Sequence, residues 1–487
     1  IAIFFYYIIN MKNILIISLI FFCSLSARSS HLMGGEIVVQ NDQVGQYEIL
    51  LTLYRDVTGI LLNNNQTLNI YDSAGNQVST IVSSLDSTAF HPVFGISNTS
   101  LLPNSCYGTE VYFYSAVFPC FITGNYTVTW NNCCRNPSIA NMVNPGALSM
   151  FLDCNFTVDL TTTTSSPYFL SPPVVCVPVN SSWQYNPLPF DEENDSLSWS
   201  LDTPYDYISG AFPNGYPITG YSLPPAISGG DLTINSFTGE LSWTASIVGN
   251  YVYTVVCEEF RNGLKIGEIR RDMQFIVLPN GNLPALSNLN NFSTDLNGIP
   301  FVESIANGTL TIDLFVLDSS SLFLSFDGIG ETFDDSINPM TSTITSTNNP
   351  YEKKVTLNWT PTSNDVRTEP YIINSRFFNG TYSMDYTFFV YVNQDNTGLV
   401  EYTPVTLKSF PNPSNGLFTS KICVNKSQII EYIITNNFGK VVSNRKINLK
   451  NGMNKILFNE NLPAGMYVVT FKLESGEFIS NKILIKN

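Results

Sequence analysis

Histidine is almost absent from this chain. Its 487 residues hold two, His31 and His91, so the side chain most often used as a base or metal ligand near neutral pH is nearly missing. Charge is scarce as well. Asp, Glu, Lys and Arg make up 13% of the residues, about half the usual share, which excludes a solvated disordered chain and a coiled coil. Basic residues are the scarcer half, 23 against 39 acidic ones for a net charge of −16; a nucleic-acid binder would show a basic stripe instead. No Cys-x-x-Cys occurs, so a zinc site has little to build on. No Gly-x-Ser-x-Gly occurs either, and a Ser or Cys nucleophile with a His base is hard to assemble. Beyond the N-terminal leader no apolar run approaches the roughly 20 residues that span a bilayer, and no stretch shows a convincing helical period.

What charge there is falls unevenly. Lys408 to Asn487 holds 11 basic and 4 acidic residues, or +7, whereas residues 1–407 hold 12 and 35, or −23. A basic tail on an acidic body suggests a separate partner for the tail. At the other end, Met11, Lys12 and Asn13 lead into the apolar run Ile14 to Leu25, followed by the small residues Ser24-Leu25-Ser26-Ala27. That pattern reads as a signal peptide over 11–27, with translation beginning at Met11.

Export makes the cysteines candidates for a disulfide framework. Six of them, Cys106, Cys120, Cys133, Cys134, Cys154 and Cys176, lie within 71 positions, and six cysteines allow 15 pairings. The adjacent Cys133 and Cys134 would point to opposite faces of a strand and so are expected to bridge to different partners. Cys257 and Cys423 are expected to be solitary buried thiols.

The apolar period is two nearly everywhere. Tyr47, Ile49, Leu51 and Leu53 alternate with other residues, as do Tyr126, Val128 and Trp130, and Tyr251, Tyr253, Val255 and Cys257; these are strands. Turn pairs such as Asn214-Gly215, Asn262-Gly263 and Asn451-Gly452 separate them. The expected fold is all-β, a series of Ig-like sandwiches. The run Thr161 to Ser166, with Pro167, Pro172 and Pro173, reads as a domain junction, as do Pro279 to Pro284 and Asn393 to Pro404. The domains expected are 28–167, bearing the disulfides, then 168–280, 285–393, a linker over 394–408, and a terminal sandwich over 409–487.

Several stretches resemble known families. Ser30-His31-Leu32-Met33-Gly34-Gly35-Glu36-Ile37, Trp130-Asn131-Asn132-Cys133-Cys134-Arg135-Asn136, Ser165-Ser166-Pro167-Tyr168-Phe169 and Glu258-Glu259-Phe260-Arg261-Asn262-Gly263 with Arg271-Asp272 together resemble large Bacteroidetes surface proteins described as gliding-motility-associated or adhesin-like. Asp191-Glu192-Glu193-Asn194-Asp195-Ser196-Leu197 resembles the D-x-D-G-D-x-L signature of cadherin-like modules. That resemblance implies a Ca²⁺ site with Asp191, Glu193, Asp195 and Glu259 as ligands, since hard cations take several carboxylate oxygens from flexible loops. Glu193 and Glu259 stand where the family has Asp, and Asn194 where it has Gly; the alternative is a solvated acidic turn. Residues 285–393 resemble a more worn module of the same kind, with Asn358-Trp359-Thr360 repeating Ser242-Trp243-Thr244. Ser319, Ser320 and Ser321 replace its carboxylates, so no metal is expected there.

Phe410-Pro411-Asn412-Pro413, Gly416, Asn437-Phe438-Gly439, Asn451-Gly452 and Leu462-Pro463-Ala464-Gly465-Met466-Tyr467 closely resemble the type IX secretion C-terminal sorting domain, type A. The resemblance implies the type IX machinery as partner, passage across the outer membrane, removal of the tail, and release or surface attachment. Within it Tyr467, Val469, Phe471 and Leu473 should face inward. The function expected is a secreted or cell-surface adhesive or structural protein, not an enzyme, with a glycan or surface protein as ligand. The alternatives are a glycan-binding accessory protein and, further off, a glycoside hydrolase, which needs only two carboxylates.

Overall fold

The computed structural model describes residues 32–57, 59–90, 108–173, 176–210, 215–226, 229–279, 281–319, 324–333, 338–394, 407–424, 426–450, 452–473 and 478–486. The leader over 11–27, both histidines and Cys106 lie outside them. Strands dominate, and the helical elements among the described residues are four short 3-10 turns. The chain forms two compact units, residues 1–395 and 396–487.

In the first unit, seven strands lead: β1 (Leu32–Gln43), β2 (Gln46–Asp56), β3 (Asn65–Asp72), β4 (Gln77–Phe90), β5 (Thr109–Pro119), β6 (Gly124–Cys133) and β7 (Ser149–Val158). They pair in the order β1-β2-β5-β4-β3-β6-β7. The later strand Leu264–Leu278 pairs with both ends of that row, Ile269 opposite Cys154 of β7 and Met273 opposite Gly34 of β1, and so closes a ring of eight strands. The alternation read in β2 holds: Tyr47, Ile49, Leu51 and Leu53 are fully buried inside the ring. Closure demands small residues on β1. A Cβ at Gly34 would run into the Asp272 carbonyl and the Met273 thioether, and one at Gly35 would stand 2.8 Å from Leu53 and Leu152.

The other edge of Leu264–Leu278 pairs along its whole length with Gly249–Arg261, which pairs in turn with Ser196–Asp202. A smaller sheet of Trp183–Tyr185, Leu241–Trp243 and Thr233–Ile234 packs into the same core. The expected division at residue 167 is therefore corrected, since one sheet and one core run from Leu32 to Leu278. The Thr/Ser run owes its polarity to hydrogen bonding against β1. Ser166 Oγ accepts from Val39 N at 2.9 Å, Ser165 Oγ from Asn41 N at 3.2 Å, and Ser166 N donates to Val39 O at 2.7 Å.

Residues 285–393 form a two-sheet sandwich whose core joins Ile312, Leu314 and Val316 of one sheet to Ile373, Phe388 and Val390 of the other. It is fastened to the preceding part by buried polar groups. Arg376 and Asp385, both wholly buried, pair at 2.8 Å; Arg376 also donates to Ser171 Oγ at 2.7 Å and Pro172 O at 3.0 Å, while Asp385 accepts from Asn186 N at 3.0 Å.

The second unit is a small sandwich of a three-stranded and a four-stranded sheet. Tyr467, Val469, Phe471 and Leu473 face its core, as their alternation indicates.

Candidate functional site

The acidic turn 191–195 connects Pro189–Phe190 to Ser196–Asp202. Asn194 adopts a left-handed conformation (φ 61°) that Asn tolerates better than most residues. This takes the place of the glycine in the related signature and brings Asp195 N to 2.5 Å from Asp191 Oδ1. Pairing of the next strand sets Leu197 opposite Glu259, which draws the turn against the end of Gly249–Arg261. Asp191, Asp195 and Glu259 then offer oxygens within 4.8 Å of one another. Glu193 gives one oxygen to Ser165 N at 3.0 Å.

Asp191 is 5% and Glu259 1% exposed. Asp191 Oδ2, Glu193 Oε2 and Glu259 Oε1 are buried without a hydrogen-bond partner. Burial, reinforced by the neighbouring carboxylates, pushes Glu259 up to about 9 and Asp191 up to about 6. The charge-balancing group is Arg261, whose Nε lies 3.0 Å from both carboxylate oxygens of Asp195. Four carboxylates against one guanidinium, with three orphaned oxygens, is a donor set that fits a hard divalent cation. Gly267 completes the cradle, because a Cβ there would strike Glu259 Oε2. Arg261 and Gly267 escape sequence reasoning as site residues: their roles depend on strand register.

The cysteines follow another pattern than expected. Cys133 and Cys134 are bonded to each other. Strand alternation does not separate them because β6 ends at Cys133. Cys176 is disulfide-bonded. Cys120 and Cys154 are free and buried, as is Cys257, while Cys423 is free and half-buried. Cys154 and Cys257 both stand opposite Ile269 on flanking strands. Two strand spacings, about 10 Å, exceed the reach of a disulfide.

In the second unit the motif residues hold the ends of the sandwich together. Asn412 donates to Lys482 O at 2.9 Å and accepts from Leu484 N at 2.8 Å, and Tyr467 Oη donates to Pro463 O at 2.9 Å. Gly416, Gly439 and Gly452 take positive φ, 97°, 76° and 93°, the region that favours glycine. Pro411, Pro413, Leu462, Ala464 and Gly465 flank these contacts in the chain; Asn451 lies outside the described residues.

Residues 408–486 match the family described as the secretion system C-terminal sorting domain. This sorting domain marks the protein for type IX secretion, to the cell surface or beyond it. It also supplies the partner for the basic tail, the type IX machinery. No helix among the described residues is long and apolar enough to cross a membrane. No curated protein sequence matches the chain. Among solved structures, similarities extend to the endo-fucoidan hydrolase MfFcnA4 of glycoside hydrolase family 107, at 15% identity over 64% of this chain and 39% of that one, TM-score 0.17. They extend also to the chicken CNTN1 FN1-FN3 domains, at 10% identity over 66% and 99%, TM-score 0.15, and to an ICAM-5 D1-D4 ectodomain fragment, at 9% over 92% and 96%, TM-score 0.16. The chain spans less than half the length of the fucoidan hydrolases it matches, 44% in one structure and 39% in another.

Proposed function

We propose that the protein is a non-enzymatic adhesive or structural component of the cell surface, of the gliding-motility-associated or adhesin-like kind. The sorting domain supports delivery, and the body supports the role. The observation that carries the reading is the engagement of the interior charges in holding sheets together. Arg135 pairs with Asp272, Arg271 with Glu36 and Arg376 with Asp385, every partner buried. The acidic cluster is buried too deeply to reach a polymer substrate. Its role in this reading is structural, a calcium ion held by Asp191, Glu193, Asp195 and Glu259 that ties the 191–195 turn to the sheet.

Surface display supplies the test. Cells carrying the intact gene should adhere to glycan- or protein-coated supports better than a deletion strain, and the purified chain should hydrolyse none of a broad polysaccharide and peptide panel. Turnover of any member, or equal adhesion of the two strains, overturns the reading.

A further inference from the structure

The ring of strands has a seam. Leu264–Leu278 pairs with β1 at Gly34 and Gly35 and with β7 at Cys154 and Asn155. Further along β1 the partners come from the 161–166 crossing: Val39 N donates to Ser166 Oγ, Asn41 N to Ser165 Oγ, and Val39 O accepts from Ser166 N. On the other side, Thr164 Oγ1 donates to Thr157 O of β7 at 2.6 Å. The crossing therefore stitches β1 to β7 beyond the reach of the Leu264–Leu278 ladder.

The acidic turn holds this stitch in place. Ser165 N donates to Glu193 Oε1 at 3.0 Å, and Tyr168 Oη donates to Glu192 Oε1 at 3.3 Å. Glu193 thus commits one oxygen to the crossing. Its other oxygen, Oε2, is buried without a partner, and its carboxyl faces that of Asp191. Asp191 Oδ2 and Glu259 Oε1 are orphaned too, on side chains 5% and 1% exposed. Buried carboxylates without partners are costly, and like charges side by side repel. Without a cation the ionised cluster is biased to open, and opening withdraws the acceptor of Ser165 N.

We propose that a divalent cation held by Asp191, Asp195, Glu259 and the second oxygen of Glu193 closes the seam between β1 and β7. Glu193 is the coupling side chain, with the cation on one oxygen and the crossing on the other. With the site filled, residues 164–166 stay bonded to both strands; with it empty, they lift while the strand ladder persists. This control rests on the calcium site proposed above and adds what that site governs. Linkage sets its size: a crossing that lifts only from the cation-free state opens less often by a factor of 1 + [Ca²⁺]/Kd.

Hydrogen–deuterium exchange of the full chain, in EDTA and in CaCl₂ at about ten times the calorimetric Kd, tests the coupling. The Val39 and Asn41 amides should exchange about tenfold more slowly with calcium. The amides of Ile312, Leu314 and Val316 in the 285–393 sandwich should not change. Glu193→Ala keeps Asp191, Asp195 and Glu259, so it should still bind calcium, with a higher Kd, yet lose the slowing at Val39 and Asn41 when saturated. Ser165→Ala removes the acceptor of Asn41 N; it should abolish the slowing at Asn41 and leave it at Val39. Calcium binding without slowing at these amides, equal slowing across the sandwich, or slowing that survives Glu193→Ala overturns the seam control and leaves the calcium site standing. No calorimetric binding together with no shift in melting temperature overturns both. None of these readouts involves adhesion, so the cell-surface role stands or falls separately.

Discussion

Arg271 and Glu36 stand 235 positions apart and meet in a buried two-point ion pair on the face of β1 that turns away from the ring interior. Arg271 Nη2 donates to Glu36 Oε1 at 2.8 Å, and its Nε donates to the second oxygen. The same guanidinium donates to Ser171 O at 2.7 Å and Tyr185 Oη at 2.8 Å, so one side chain joins β1, the 161–173 crossing and the small sheet. Removing one partner of such a pair leaves an uncompensated buried charge, which costs about 3–5 kcal/mol. Arg271→Ala should lower stability by that order in urea unfolding, and Arg271→Met combined with Glu36→Gln should recover much of it. Equal losses in the single and double variants would show that the pair contributes through packing alone.

The acidic cluster makes stability depend on pH in an unusual direction. Glu259 is raised from 4.5 to about 9 and Asp191 from 3.8 to about 6. Between those limits the folded chain holds more protons than the unfolded one, so metal-free stability falls as pH rises. In EDTA the melting temperature should drop between pH 5 and 9. Millimolar Ca²⁺ should oppose that drop, because metal and proton compete for the same oxygens.

Glu259→Gln imitates the protonated form. Without metal it should raise the melting temperature at pH 8 and flatten the pH profile, while abolishing the response to Ca²⁺. A variant that still gains stability from Ca²⁺ would place the ion elsewhere. Gly267→Ala, which pushes a methyl against Glu259 Oε2, should weaken Ca²⁺ binding in titration calorimetry.

Ser166→Ala removes the acceptor for Val39 N and leaves a buried amide with one partner fewer. Such a loss costs about 1–3 kcal/mol, measurable as a lower urea midpoint at an unchanged slope.

Deleting residues 409–487 should trap the body in the periplasm, visible by fractionation and surface immunolabelling. Surface display without the tail would refute the type IX assignment.

Local pattern made the strands legible. Alternation identifies the inward faces of β2, of Tyr126-Val128-Trp130 and of Tyr467 to Leu473, and of the four ligands that the cadherin-like resemblance implies, Asp191, Glu193, Asp195 and Glu259, the fold groups Asp191, Asp195 and Glu259. Ring closure was not legible, because it rests on pairings between residues more than 110 positions apart, Cys154 with Ile269 and Gly34 with Met273. The Thr161 to Ser166 run misleads for a related reason. Serine and threonine suit linkers by composition, yet here their hydroxyls serve β1, and only the strand they meet reveals it. The cysteine pairing is likewise a matter of register: Cys154 and Cys257 share a row with Ile269 between them.

The strand Leu264–Leu278 receives β7, β1 and Cys176–Pro178 along one edge and Gly249–Arg261 along the other. The earliest seven strands consequently cannot finish their hydrogen bonding until more than a hundred further residues have emerged. Until then, during synthesis, both end strands of the row, β1 and β7, lack the partner that joins them. The row locks shut only when the fifteen-residue keystone arrives.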